Sequence, residues 1–321
     1  MKRKHRNTKA LLLAALLGIL LTPLMAGPLN NSAGAYMRLG IGAREIAMGE
    51  AGSAISRDVA AGYWNPAGLN KIKDIEVGVM YNFSMNLDRS HQYASIAKPF
   101  DFGTLAFNWI NAGVGDIEGY DNAGNPTGTF SDNQHNISVS YANHWKDLDY
   151  GVTPKFYFST LDGETKAGMG IDLGARYDVN QYLVAGLMLR DLLGGYAGYR
   201  VPIEMAMGVA AYPLIGVTLA ADLKWEQREN PYLAVGAEYW TSIGKDPEAD
   251  SKLSVISVKE RSAWEDVFSY AQTGLRLGFN QGHFSAGTGI RFRNFQLDYV
   301  FRLNNHEIMS DDHIISMIFR F

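Results

Sequence analysis

Seven histidines are the side chains of this sequence with the most obvious capacity for chemistry, as metal ligands or proton carriers. They are His5, His91, His135, His144, His283, His306 and His313. No two of them have the close spacing, with an acidic residue between, that places zinc ligands on one helix face. We interpret them as solvated or interface residues near strand ends. The sequence therefore predicts neither a metal centre nor a cofactor.

A second group, Ser310-Asp311-Asp312-His313, contains the residue types of a hydrolytic triad. Adjacent residues on a β-strand point to opposite faces. The side chains of this group therefore do not converge on one point, as a nucleophile, its base and an orienting acid must. We predict that the protein is not an enzyme.

One long polar stretch carries a group of four acidic residues, Asp116, Glu118, Asp121 and Asp132. Carboxylates gathered in a loop are typical ligands of a hard cation. An ordinary acidic surface loop is the favoured interpretation, and a cation site is its alternative.

The N-terminal 26 residues have the pattern of a secretory signal peptide. A basic start with Lys2, Arg3 and Lys4 precedes an apolar run from 10 to 21, and Ala26 offers a small residue for cleavage. The run is shorter than the ~20 apolar residues that a membrane-spanning helix needs. We predict that residues 1–26 are removed. The chain contains no cysteine, which excludes a lipoprotein anchor and disulfides.

Composition narrows the remaining classes. The chain has 321 residues, 34 of them glycine, and a formal net charge of −4. This charge gives no reason to expect a nucleic-acid partner. A secreted soluble β-protein and an outer-membrane barrel remain as alternatives.

Alternation of apolar and polar residues favours the barrel. Ile203, Met205, Met207 and Val209, for example, alternate with small or charged residues. Each such segment spans roughly 9–11 residues, the length that crosses a bilayer at a tilt. About 14 segments follow one another, and they start near residues 75, 91, 102, 134, 150, 167, 182, 202, 215, 232, 270, 283, 294 and 312. The sequence predicts an all-β transmembrane fold, an antiparallel outer-membrane β-barrel embedded in lipid. The family resemblance described below implies that the barrel is ~14-stranded.

The ends of the predicted strands carry two further features of such barrels. Aromatic residues predicted to lie at the membrane interfaces are Trp109, Tyr141, Trp145, Tyr239 and Trp240. The last strand places Ile315, Met317, Phe319 and Phe321 on one face and ends on an aromatic residue. This ending is similar to the signal that the barrel assembly machinery reads, so we expect that machinery to be a partner.

The stretch from 40 to 69 does not alternate and is dominated by small residues. A short helix is predicted from Ala43 to Ala51, and Asn65-Pro66 predicts a turn. We assign 27–73 to an N-terminal segment and 74–321 to the barrel, and the family resemblance described below implies that this segment plugs the lumen.

Charges in the inward rows support the plug. These predicted lumenal residues are Lys155, Asp172, Arg176, Glu204, Asp222, Glu238, Arg276, Asp298 and Arg302. Their mixed signs predict pairing with the plug residues Arg44, Glu45, Arg57 and Asp58, since charges held away from water are paired.

Three motifs resemble the PorV/PorQ family of outer-membrane proteins. The first consists of Gly42-Ala43-Arg44, Ala47-Met48-Gly49, Ser56-Arg57-Asp58 and the run 63–69, and the others lie at 115–130 and 282–299. The plug signature defined by this resemblance is Gly42, Arg44, Met48, Gly49, Asp58, Trp64, Asn65, Pro66, Ala67 and Gly68. Asn65-Pro66-Ala67 is also similar to the wider FadL-like superfamily, whose 14-stranded barrels hold an N-terminal segment in the lumen.

The resemblance implies a non-enzymatic role, and two functions remain open. A PorV/PorQ-like protein would take part in type IX secretion and bind the C-terminal domains of cargo proteins or surface-attachment partners. A FadL-like protein would be a channel for hydrophobic small molecules, with an apolar lumen pocket and a lateral gap in the wall.

Sidedness adds one more expectation. If both chain ends are periplasmic, 178–181, 212–215 and 293–294 are short periplasmic turns, and 113–133 and 191–200 are long external loops. The segment 241–269 then lies on the periplasmic side, where a tight turn is expected. It is either a tolerated insertion or a docking element, unless 253–259 crosses the membrane as an extra strand.

Overall fold

The structure is a computed structural model, and it describes residues 34–83, 88–196, 198–243, 271–304 and 310–321. The predicted signal peptide and residues 244–270, which include most of the predicted insertion, lie outside the described residues, so both remain predictions. None of the helices in the described part of the chain has the length and apolar character to cross a bilayer.

Fourteen antiparallel strands form a closed barrel in which each strand pairs with its neighbours along the chain. The ring closes between the first and last strands, where Glu76 pairs with Arg320 and Asn82 with Ile314. The strands are β1 (Glu76–Asn82), β2 (Arg89–Phe100), β3 (Gly103–Tyr120), β4 (Pro126–Trp145), β5 (Leu148–Leu161), β6 (Glu164–Asn180), β7 (Leu183–Tyr196), β9 (Glu204–Ala211), β10 (Val217–Glu226), β11 (Tyr232–Ser242), β12 (Ala271–Asn280), β13 (His283–Phe292), β14 (Phe295–Arg302) and β15 (Asp312–Arg320). A two-residue piece, β8 (Tyr199–Arg200), pairs only with the end of β7.

The predicted strand positions are confirmed for thirteen of the fourteen strands, whose observed starts differ from the predicted ones by at most three residues. The exception is β4, predicted to start near 134 and observed from Pro126. The predicted external loop 113–133 is wrong, because β3 and β4 continue as a hairpin joined by 121–125. The predicted loop 191–200 is wrong for the same reason, since β7 extends to Tyr196. Beyond the bilayer both faces of a strand meet water, so the alternation that reveals a strand disappears.

The outer face of the barrel is apolar. Its exposed large side chains include Phe107, Phe156, Leu173, Val209, Leu223, Leu275 and Leu277. Exposed apolar area on this scale is unfavourable in water and is stabilised by lipid. Trp109, Tyr141, Trp145 and Tyr239 lie on this face, and their position at the membrane interfaces remains a prediction. Trp240 does not lie on this face, because its neighbour Tyr239 already points outward, and its ring instead covers Gly274 on the lumen side.

The N-terminal segment fills the lumen. It contains a 3₁₀ helix (Ala35–Arg38), α1 (Ala43–Ala47), α2 (Ala61–Trp64) and a second 3₁₀ helix (Pro66–Lys71). The predicted helix 43–51 ends early because Gly49 and Glu50 both have a φ of 63°. Ile41, Ile46 and Trp64 pack in one buried cluster with wall residues of β1, β2, β3, β14 and β15.

The last strand carries the predicted pattern. Ile315, Met317 and Phe319 lie on the outer face, while Ile314 and Ile318 are buried inside. The backbone N–H of Phe321 donates to the carbonyl of Ile75 over 2.9 Å, which joins the two ends of the barrel chain. Recognition of this strand by the assembly machinery remains a prediction.

The connections allow a direct test of sidedness, because the chain contains no natural cysteine. We expect Ala123→Cys, at the exposed β3–β4 tip, to react with a membrane-impermeant maleimide on intact cells. Asp147→Cys, in the exposed β4–β5 turn at the other end, should react only after the outer membrane is opened. Ala249→Cys should behave like Asp147→Cys if the predicted insertion is periplasmic. The reverse labelling pattern would contradict this topology.

Candidate functional site: the plug and the lumen wall

Glycines in the wall allow the plug to approach the strands at backbone distance. A Cβ on Gly278 would lie 1.9 Å from the amide nitrogen of Gly49, and one on Gly236 would lie 2.3 Å from the carbonyl oxygen of Met48. On the other side of the lumen, a Cβ on Gly174 would lie 2.1 Å from Asn65 Oδ1. Side chains at these wall positions would displace the plug, so the glycines of the inward rows are part of the site.

Asn65 organises the signature around Trp64-Asn65-Pro66. Its Oδ1 accepts a hydrogen bond from the N–H of Ala67 at 3.1 Å, which caps the second 3₁₀ helix. Its Nδ2 donates to the carbonyl of Ser53 at 2.6 Å and to that of Ala175, on β6, at 3.0 Å. Trp64 Nε1 donates to the carbonyl of Ile41 at 2.8 Å. The signature residues thus join three parts of the plug to one another and to the wall.

A buried ion-pair cluster, the Arg44 cluster, fastens α1 to the wall. Arg44 donates from Nε and Nη2 to the two carboxylate oxygens of Glu238, on β11, at 2.9 and 2.8 Å. Glu238 also accepts from Arg276 Nε at 2.7 Å. Arg276 Nη1 lies 2.8 Å from Asp298 Oδ1. All four side chains are buried, so each charge depends on its partners and not on water.

Glu45, the next residue in α1, is buried beside this cluster. Burial raises the pKa of Glu45 to about 8, and the negative charge of Asp58 adds to the effect. Ser56 Oγ donates to Glu45 Oε1 at 3.1 Å, and Arg44 Nη1 lies 3.3 Å from the same oxygen. Since a raised acidic pKa means that ionisation is unfavourable in the docked plug, the contribution of Glu45 to docking is complete below its ordinary pKa and is lost as pH rises through 8.

A second cluster, the Arg38 cluster, lies nearer the external end. Arg38 Nη1 donates to Asp191 Oδ2 at 2.6 Å, and its Nε lies 3.1 Å from Glu204. Lys155 Nζ lies 2.5 Å from Asp191 and 2.6 Å from Asp172. The sequence did not indicate Asp191, because a bulge in β7 turns it inward with a φ of 59° and breaks the alternation.

Two further groups complete the fastening of the plug. Glu50 Oε1 accepts from Arg302 at 3.0 Å, and Glu50 Oε2 accepts from Asn280 at 2.8 Å. At the end of the barrel that holds the β4–β5 turn, Lys71 lies 2.8 Å from Asp149 and 3.1 Å from Asp178. Plug and wall are therefore tied together at several heights of the lumen.

The carboxylates of Asp222 and Asp58 accept hydrogen bonds from uncharged donors of the plug. Ser53 donates to Asp222, on β10, from its amide at 2.9 Å and from its hydroxyl at 2.8 Å. Asp58 Oδ1 accepts from the N–H of Ala60 at 2.9 Å. Arg57 differs from the prediction, because it is exposed and is not buried among the lumenal charges.

The other candidate groups do not form chemical sites. No three His, Asp or Glu side chains within the described ranges are placed to hold a metal ion. Asp121 accepts from the amides of Ala123 and Asn125, as turn residues do. Asp312 faces the lumen and binds Arg302, while His313 Nδ1 lies 2.7 Å from the hydroxyl of Tyr299 on the outer face. The Ser310–His313 group is therefore split between the two faces of β15.

Removing the central carboxylate should loosen the plug. Glu238→Gln leaves Arg44 and Arg276 buried without their shared anion, and breaking a buried ion pair in this way costs ~3–5 kcal/mol. We expect brief conducting openings in planar bilayers and a lower temperature for the loss of heat-modifiable migration. Glu164→Gln, at an exposed carboxylate on β6, is the control. A Glu238→Gln barrel as closed and as heat-stable as this control would contradict the role given to the Arg44 cluster.

No protein-family model matches this sequence, and no curated protein matches it either. Solved structures are similar in fold. The Ralstonia pickettii toluene transporter TbuX aligns over 88% of this chain and 98% of its own, at 12% identity and a TM-score of 0.61. The Pseudomonas putida toluene transporter TodX aligns over 88% of this chain and 98% of its own, at 12% identity and a TM-score of 0.58.

A Pseudomonas aeruginosa FadL homologue aligns over 84% of this chain and 96% of its own, at 10% identity and a TM-score of 0.51. At these identities the likeness establishes the fold and not the activity. The comparisons support the FadL-like resemblance, and they do not show the PorV/PorQ one. The chain is a bacterial outer-membrane β-barrel with a FadL-like fold.

Proposed function

We propose that the protein is a passive channel for small hydrophobic molecules, closed at rest by its N-terminal plug. The toluene transporters of the same fold support this proposal. The observation that carries it is an irregularity in the barrel wall that is bonded directly to the plug. It lies between β6 and β7, which stay paired while their pairing register shifts on both sides of Ile171.

Two features of β7 make this irregularity the place where a lateral passage would open. Asp191 and Leu193, on β7, have φ values of 59° and 56°, which side chains rarely adopt. Leu193 is 87% exposed, while Asp191 is buried and holds Arg38 of the plug segment. Because Arg38 bonds the distorted strand, a shift of the plug is transmitted to the wall at this point. The β2–β3 ladder, by contrast, is continuous from Arg89 to Phe100.

Charged and polar side chains occupy the space beside the plug. A small enclosed space near Tyr63 is lined in part by polar residues such as Asn108, Asn136 and Asp172, and it does not match the apolar lumen pocket expected for an open channel. We infer that this is the closed state and that transport requires the plug to move.

A role in type IX secretion receives no support from the comparisons, which contain toluene transporters, a monoaromatic hydrocarbon channel and a FadL homologue. The proposed cargo and surface-attachment partners have no observation in their favour. The channel is therefore the function that we propose.

A reversible lock on the plug tests the channel. Ser53 and Asp222 touch across the plug–wall interface, so the pair Ser53→Cys and Asp222→Cys places two thiols together in a chain without other cysteines. We expect the oxidised pair to reduce uptake of the hydrophobic dye N-phenyl-naphthylamine by intact bacteria to the level of bacteria lacking the protein. Reductant should restore it, because the plug can then move.

The matched controls are the two single-cysteine variants, which cannot form the bond and should take up dye under oxidising conditions. If the locked barrel admits dye as fast as the reduced one, plug movement is not part of the pathway and the proposed channel is wrong.

A further inference from the structure

The periplasmic end of the barrel contains a cavity of about 570 Å³ that the plug contacts do not use. Its floor is the plug, through Arg57, and its walls include Glu238, Trp240 and Arg291. The turn between β9 and β10 and Tyr182 form the rest of its rim. The volume lies within the range of small-molecule sites in proteins.

Charge is unevenly distributed around this cavity. The carboxylate of Glu238 is already shared by Arg44 and Arg276. Arg291 donates from Nε and Nη2 only to a neutral oxygen, Gln296 Oε1, at 3.1 and 3.0 Å. Among the residues that the structure describes, neither Arg57 nor Arg291 forms an ion pair with a carboxylate. Two guanidinium groups therefore face the cavity without an ion-pair partner among the described residues.

Aromatic surface accompanies the two cations. The guanidinium of Arg291 lies 4.5 Å from the ring centroid of Trp240, and that of Arg276 lies 5.0 Å from it. Tyr182 and Tyr212 also line the cavity. Planar guanidinium groups bind carboxylates through paired hydrogen bonds, while aromatic rings bind flat apolar bodies.

We propose that this periplasmic cavity binds small aromatic carboxylates. The carboxylate would take the donors of Arg57 and Arg291, and the aromatic body would lie against Trp240 and the neighbouring tyrosines. Such a ligand would touch plug and wall together, because Arg57 belongs to the plug and Arg291 to β13. The site is independent of whether the barrel conducts, since it opens to the periplasm and needs no passage through the lumen.

Quenching of Trp240 fluorescence by a brominated acid tests the site. Para-bromobenzoate is titrated into the purified full-length protein in detergent, with neutral bromobenzene as the uncharged analogue. We expect saturable quenching by the acid alone, and a clear reduction of this quenching in Trp240→Phe. Arg57→Gln and Arg291→Gln should each raise Kd about tenfold, the loss expected for one charge-assisted contact.

Two variants separate recognition from general damage. Lys98→Gln removes an exposed cation near the periplasmic end of β2, outside the cavity, and should leave Kd unchanged. Arg57→Lys keeps the charge and should bind more tightly than Arg57→Gln. Heat-modifiable migration confirms that each variant is folded. If a substitution prevents folding, the comparison of acid with neutral analogue on the unmodified protein still decides.

The proposal is overturned by any of three results. The first is the absence of saturable quenching in the unmodified chain, as when residues 244–270 of the same chain already occupy the cavity. The second is equal quenching by bromobenzene, which would show apolar partitioning without recognition of the anion. The third is an unchanged Kd in both arginine-to-glutamine variants.

Discussion

Arg44 and Glu238 form an ion pair inside the barrel, where bulk water cannot solvate either charge if the pair is broken. Desolvation makes an unpaired charge at this position far less stable than a paired one, so the plug is held most firmly in the position that satisfies the wall. The same condition recurs at Arg38 with Asp191 and at Glu50 with Arg302. Because the partners lie on different strands, the pairs fix both the height and the orientation of the plug. They also make release possible, since no backbone ladder has to be broken to move it.

The second condition is close approach between the plug and the backbone of the wall, which requires wall positions without side chains. Gly236 and Gly278 leave room for Met48 and Gly49 of the plug, and Gly174 leaves room for Asn65. The lumen is therefore closed by close packing of the plug against the wall as well as by ion pairs. The pairing of β6 with β7 departs from this regularity, and at this point Asp191 of the wall holds Arg38. The fold therefore brings together the closed plug and an irregular part of the wall.

Much of this fold could be predicted from the sequence, because a lipid-facing row and a packed lumenal row impose alternation. That pattern located thirteen strands and placed residues such as Asp172, Asp222 and Glu238 inside the barrel. The alternation did not reveal the strand wherever the lipid-facing or the lumenal environment was missing. The outer halves of β3 and β4 lie in water on both faces, so they were predicted as a loop. Asp191 lies in a bulge, where two successive residues no longer point to opposite faces.

The pairings of the plug were less predictable, because the sequence contains the charges and not the geometry that joins them. Arg57 carries the same charge as Arg44 and lies in the same sequence motif, yet only Arg44 is buried. Trp240 was predicted at the membrane interface by residue type alone, whereas its even position beside Tyr239 directs it inward. Strand parity, applied residue by residue, would have corrected this assignment.

Hydrogen exchange of the backbone amides tests most directly whether the N-terminal segment is held in the lumen by its buried contacts. In the intact protein, amides of residues 43–69 should exchange as slowly as those of the strands that they touch, because both are shielded from water and opened only together with the plug contacts. Rapid exchange throughout 43–69, while the barrel strands remain protected, would contradict a plug held in the lumen.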